Sequence, residues 1–404
     1  MISTNLSLKN NIQKKNLKKG LSKNFSKKFE KIFYEIRNDI KDSNKTLNVL
    51  SNKINFTFKL KDLNKFKKYK TIALIGMGGS ILGAEAIYQF LNKKIKKKLY
   101  FFDDLDQNKI INFKKKENLS KTLFIIISKS GNTIETLSNA FLLNLIKKNS
   151  KNVIVISEKN NNLFLIAKKL NLFFIEHRSN VGGRYSVLSE VGIVPAYLMG
   201  VNINKIRSKI LNYLEKKNKF FLKDSSIKIA DLMKSKNKNN LIFLNYCPEL
   251  KKFLYWCQQL IAESLGKKNN GFLPSISNAP KDHHSLLQLY LDGPKDKFFN
   301  IFSLDGNTSE KIRMNKNNSF NKFLNKKTIS KIKKAQKDSL IKIFQKNNIP
   351  FREFRIKKIN EETLGEIISI FIIETVVIGK LLKINPYNQP AVEQVKILTK
   401  RLLS

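Results

Sequence analysis

Residues 71–83 read TIALIGMGGSILG and residues 122–136 read TLFIIISKSGNTIET. Each begins as a short apolar run, passes through glycine, and continues at helical spacing, which is the pattern of a buried strand feeding a helix in a parallel sheet. The alternation extends on both sides. Further candidate strands lie at 99–102, 153–157 and 172–175, with helical stretches at 81–91, 134–147 and 163–169. A second alternating unit begins near 240, with strands at 241–246, 298–304 and 351–356 and helices at 249–265, 330–345 and 361–382. This order predicts an α/β protein of two doubly wound parallel sheets, each a three-layer sandwich with right-handed crossovers. Ligands of such sheets bind where strands end and loops turn into helices.

The expected division is a helical N-terminal arm (1–50), a first domain (51–200), a second domain (201–385) and a helical C-terminal arm (386–404). Phe25, Phe29, Ile32, Phe33 and Ile36 recur three and four apart in the first arm, and 392–403 is helical in the last. Two domains also suit a chain of 404 residues, which exceeds one ordinary core.

The formal charge of +46 would attract polyanions at long range. Nearly all of it is Lys, dispersed in tracts such as 65–70 and 93–98 among Asn, Ile and Phe, whereas phosphate and guanine recognition favours the Arg fork. No nucleic-acid partner is therefore expected. Cys247 and Cys257 form no disulfide framework and no metal spacing with His, so no metal or cofactor is implied. Residues 1–26 lack the apolar segment of a secretory signal, and no run approaches a membrane span, so no membrane association and a cytoplasmic location are expected.

Four loops carry candidate chemistry. In the first, Gly78, Gly79 and Ser80 let backbone approach a ligand, although the spacing departs from the G-x-G-x-x-G dinucleotide form, with Ile at 81. In the second, Ser128, Lys129, Ser130 and Thr133 crowd hydroxyls and free amides at a helix start, a nest for a phosphate monoester. An ordinary cap needs one hydroxyl, and this stretch with Thr136 offers four. In the third, Arg184 follows Gly182 and Gly183, where a permanent cation can stabilise an oxyanion or simply sit in a turn. In the fourth, Glu263 ends an apolar helix and is followed by His283 and His284 in a chain with three His. A half-buried carboxylate there suits proton abstraction.

Together, GMGGSILG, SKSGNTIET, VGGRYSVLS, ESLGK followed by DHHS, and NQPAVEQVK resemble, in order and spacing, the motifs of the glucose-6-phosphate isomerase family, in its shorter bacterial branch. The resemblance spans about 45–404 and implies two sugar-isomerase (SIS) domains acting on glucose 6-phosphate and fructose 6-phosphate, without a cofactor. It implies Glu263 as the base that moves a proton between C1 and C2 through a cis-enediolate, and Arg184 as the enediolate's cation. It further implies His284 and Lys396 in ring opening, and Gln389 with the 78–80 and 128–133 loops in substrate binding. The family's His comes from a neighbouring subunit, so a homodimer is implied. Another 6-phosphosugar isomerase of the same domain type, acting on a mannose or amino-sugar phosphate, is the alternative. Met77, Asn388 and Ala391 depart from the family's usual residues.

Overall fold

A computed structural model describes residues 5–306, 309–313 and 322–403. Ten strands are present among them: β1 (Leu6–Asn10), β2 (Thr71–Ile75), β3 (Lys98–Phe102), β4 (Thr122–Ile127), β5 (Val153–Ser157), β6 (Phe173–Glu176), β7 (Asn240–Asn245), β8 (Leu273–Asn278), β9 (Lys297–Leu304) and β10 (Phe351–Ile356). They form two five-stranded sheets, ordered β3-β2-β4-β5-β6 and β1-β10-β9-β7-β8. Every residue of β4 and β5 is buried, as helices on both faces require.

The first sheet is parallel throughout, with Ile75 opposite Ile126 where β2 meets β4. The chain leaves β2 on one side to make β3, then returns past it to make β4. The strand order thus reverses between β2 and β4, and the loops after these two strands splay apart to leave a crevice. In the second sheet the order β10-β9-β7-β8 repeats the same reversal between β7 and β9.

Two strands and several helices differ from the sequence expectation. Residues 6–10, placed in a helical arm, form a strand that adds antiparallel to β10, with Leu6 opposite Ile356. Five residues are too few for period 2 to stand out from period 3.6. The arm's helix is Leu21–Lys41, which buries Phe25, Phe29, Ile32, Phe33 and Ile36. The strand β8, LPSISN, was masked by Pro274 and its polar residues. It lies at the sheet's edge, where a residue without an N–H is tolerated. Helices at Gln107–Lys116, Glu190–Leu198 and Lys216–Ser235 also escaped the periodicity reading, and the helix expected over 134–147 stops at Leu142.

The helix Glu361–Leu381 holds the architecture together, burying every residue except Glu362 and Lys380. An all-round apolar helix belongs between layers. Phe371 packs edge-on against Phe253 at 5.6 Å, beside the fully buried Trp256. Among its buried carboxylates, Glu374 accepts from Arg352 at 2.7 and 2.8 Å, and Arg352 also donates to Ser225 and Asn300, so this buried pair is hydrogen-bonded on several sides. Gly365 lets this helix cross the short helix Ile203–Arg207, because a Cβ there would lie 1.7 Å from the Ile206 carbonyl oxygen. Gly365→Ala is expected to lower stability by about 2–3 kcal/mol through overpacking, read from denaturant midpoints. An unchanged midpoint would show that the crossing can relax.

Candidate active site

The reversal point of the first sheet supplies two adjacent loops. After β2, Gly78 adopts φ +52°, and a Cβ on it would lie 2.8 Å from the Gln259 side-chain nitrogen. At Gly79 a Cβ would sit 2.1 Å from the Gly183 carbonyl carbon, so the 78–80 loop and the 183–184 loop touch backbone to backbone. The Ser186 hydroxyl spans this contact, donating to the carbonyls of Gly183 (2.7 Å) and Gly79 (3.3 Å).

After β4, Ser128 is buried, and its hydroxyl lies 2.9 Å from that of Thr133. Thr133 stands at the cap position of the helix Ile134–Leu142, yet its side chain makes no capping bond. The capping explanation therefore does not account for this hydroxyl, which stays beside the helix's unpaired amides, where an anion is favoured. Gly131 turns the chain with φ +68° against Asn161, whose amide donates to the Lys129 carbonyl at 3.0 Å. Lys129 itself is drawn to the rim, donating to the Ser179 carbonyl (2.7 Å) and lying 3.4 Å from Glu158.

Arg184 is the centre of the site and is 1 % exposed. Its Nε donates to Ser264 Oγ (2.8 Å), Nη1 to Glu263 Oε2 (3.1 Å) and to Gln389 Oε1, and Nη2 to the carbonyls of Pro386 (2.8 Å) and Asn388 (3.2 Å). Those contacts match the five N–H donors of a guanidinium, so every one is occupied by the protein. The other Glu263 oxygen, Oε1, accepts from Gln259 at 3.0 Å, one helical turn earlier on the Lys251–Leu265 helix. Glu263 is thus fixed through both oxygens while its side chain remains 28 % exposed to an incoming ligand. Trp256 on the same helix donates its indole N–H to the Arg184 carbonyl at 2.9 Å.

Two neighbours tie the 386–389 segment down. The Tyr185 hydroxyl donates to the Pro386 carbonyl (3.0 Å) and contacts Ser264, and burial raises its phenol above the ordinary range. Lys267 donates to the carbonyls of Glu263 (3.0 Å) and Asn388 (2.6 Å). Burial, followed by the charge of Arg184, lowers its ammonium to about 8.

The structure therefore gathers Gly78, Gly79, Arg184, Glu263 and Gln389, with Ser80, Ser128, Lys129, Ser130 and Thr133 on the same sheet's loops. Two expected residues stand apart. His284 lies exposed on the turn Lys281–His284, while its neighbour His283 bonds the Tyr246 hydroxyl at 2.7 Å. Lys396 sits on the helix Glu393–Leu403, which buries none of its residues, and its ammonium pairs with Glu393 at 2.7 Å. Sequence reasoning missed Gln259 and Trp256. The signal for Gln259 was its place four residues before Glu263, which puts both on one helix face.

The family model described as phosphoglucose isomerase matches residues 35–279. The glucose-6-phosphate isomerase of Methanocaldococcus jannaschii is 35% identical over 357 residues, covering 85% of this chain and 87% of that one. That of Campylobacter jejuni is 31% identical over 378 residues, covering 89% and 90%. Among solved structures, a hypothetical protein from Thermus thermophilus superposes with a TM-score of 0.84 at 22% identity, covering 99% of this chain and 100% of that one. A glucose-6-phosphate isomerase from Chlamydia trachomatis gives 0.71 at 18% identity, covering 86% and 72%, and these two likenesses speak for the fold.

The ties to the 386–389 segment are testable without a ligand. Lys267→Met is expected to raise amide hydrogen exchange at 387–389 by about tenfold, the worth of one charge-assisted bond, while β2 and β4 stay protected. Unchanged exchange at 387–389 would show that other contacts hold the segment.

Proposed function

The chain belongs to the phosphoglucose isomerase family, and on that premise we propose that it is an aldose–ketose isomerase interconverting glucose 6-phosphate and fructose 6-phosphate. The observation that carries this reading is the Glu263 carboxylate, held at both oxygens and partly open, and tied through Arg184 to the loops of the sheet whose 128–133 turn sets the Ser128 and Thr133 hydroxyls at a helix start. An isomerisation of this kind needs a handle on the phosphate, one base on one face of the sugar, and a positive charge near the two carbonyl-bearing carbons.

Residues 128–133 would grip the phosphate through the Ser128, Ser130 and Thr133 hydroxyls and the amides opening the Ile134–Leu142 helix, with Lys129 at the rim. The sugar would then lie across Gly78, Gly79 and Ser80 toward Glu263. Glu263 takes the proton from C2 of the open-chain aldose, leaving the negative charge on O1 of the cis-enediolate, and the remaining hydroxyl proton then passes from O2 to O1. Returning the proton to C1 completes the ketose, and the reverse reaction runs through the same intermediate. Because every Arg184 donor already has a protein partner, the guanidinium would act on the enediolate chiefly through its charge. A direct bond to the intermediate would have to replace one of these protein acceptors.

Ring opening requires an acid-base pair that one protomer does not gather at Glu263. We assign it to the partner subunit's His284 and to Lys396. Two features support a second copy: His284 is exposed, and the Glu393–Leu403 helix presents Val395, Ile397, Leu398, Leu402 and Leu403 uncovered. A face of that kind needs a partner.

Glu263→Gln is expected to retain binding of fructose 6-phosphate while lowering kcat by about a thousandfold or more, the scale of a lost general base. Undiminished turnover, or a better rate on mannose 6-phosphate in the parent protein, would overturn the base or the substrate. The shared site has its own test. His284→Ala and Glu263→Gln proteins, each inactive, are mixed, unfolded and refolded together. Half the dimers are then hybrids with one intact site of two, so activity should recover to roughly a quarter of the parent's. Failure to recover, with hybrids verified by mass, would place His284 in its own subunit's site.

A further inference from the structure

We propose that the second sheet carries its own binding site for a small phosphate-bearing metabolite, in the basic cavity at the reversal between β7 and β9. The inference stands on this cavity alone and is independent of the reading given to Glu263. The cavity holds about 920 Å³, ample for a small metabolite. It lies at the carboxyl ends of β7, β9 and β10, reached by Tyr246, Ser303, Asp305 and Arg355, and is closed by the start of the helix Ile329–Lys346. That is the position at which an open parallel sheet of this topology receives a ligand.

Charge distinguishes this crevice from the general basicity of the chain. Seven of its fifteen lining residues are Lys or Arg, against 77 of 404 overall, so the lining is more than twice as cationic as the chain. Among the described residues one carboxylate, Asp305, lines it, paired with Arg355 at 3.0 Å. Asp338 and Glu353 stand behind it, at 3.3 and 3.5 Å from Lys337, which is 5 % exposed and so faces the cavity from a desolvated position.

Two further observations point to an anion. The Ile329–Lys346 helix has no acidic residue in its first turn and carries Lys331, Lys333 and Lys334 within its first six residues. Its dipole disfavours cations there, and an anion seated between the lysines and the helix amides removes the conflict. The Ser303 hydroxyl lines the cavity, 6 % exposed, with no hydrogen-bond partner. Ser303 pairs in register with Arg355, so hydroxyl and guanidinium rise from the same face of adjacent strands. A buried hydroxyl left unmatched costs free energy, and a phosphate oxygen accepts from it directly.

The test uses inorganic pyrophosphate as probe on the full chain at fixed ionic strength, read by amide hydrogen exchange of residues 328–337, with 128–136 followed separately. Protection of 328–337 that saturates with pyrophosphate is expected. Ser303→Ala and Lys333→Gln should each weaken it by about tenfold, and Lys114→Gln, on an exposed helix of the first domain, should leave it unchanged. The proposal is overturned if 328–337 gains no protection, if Lys114→Gln weakens it as much as Lys333→Gln does, or if a short oligonucleotide binds there more tightly than pyrophosphate. Two separate substitutions guard against either one simply disturbing the fold.

Discussion

The site depends on one buried guanidinium having no donor left over. Arg184 joins three pieces of chain far apart in sequence: its own glycine loop, the end of the Lys251–Leu265 helix through Glu263 and Ser264, and the 386–389 segment through two carbonyls and the Gln389 side chain. A buried cation missing one of these acceptors would be strongly penalised, so the loops are held in register together. The same constraint fixes Glu263. One carboxylate oxygen is held by Arg184 and the other by Gln259, leaving the side chain little freedom, as the base role proposed for it would require.

Close backbone approach is what lets this centre meet the hydroxyl-rich 128–133 loop. Gly79 packs against Gly183 without room for a Cβ of its own, and at Gly76 a Cβ would lie 3.1 Å from the Ile127 carbonyl oxygen, at the edge of the hydroxyl loop. Adjacent strands with opposite crossovers bring β2 and β4 to one crevice, and the glycines then let their loops share it. The second sheet repeats the topology but opens onto lysines at its own reversal, so the two halves of the molecule offer related crevices with different linings.

Much of this was legible in the sequence where a local pattern has a local cause. Short apolar runs alternating with helical stretches gave the inner strands of both sheets, and the Glu263 helix was clear from its apolar spacing. Edge elements were not: β1 is too short to show a period, and β8 carries a proline that only an edge accepts. The partners of Arg184 were hidden as well, because nothing near residue 184 states that the carbonyls of Pro386 and Asn388 will face it. The basic cavity was concealed by abundance, since its cations lie scattered from 311 to 355 in a chain rich in lysine throughout. His284 and Lys396 mark a different boundary. Their motifs are local, whereas the surfaces on which they stand are left open by a single protomer.

The most direct measurement is the structure of the protein with fructose 6-phosphate bound. The account predicts the phosphate within hydrogen-bond distance of the Ser128 and Thr133 hydroxyls, and C1 and C2 both within about 3.5 Å of a Glu263 oxygen, with the Arg184–Glu263 contact intact. A sugar whose first two carbons lie nearer another carboxylate, or a phosphate seated away from the 128–133 loop, would contradict it.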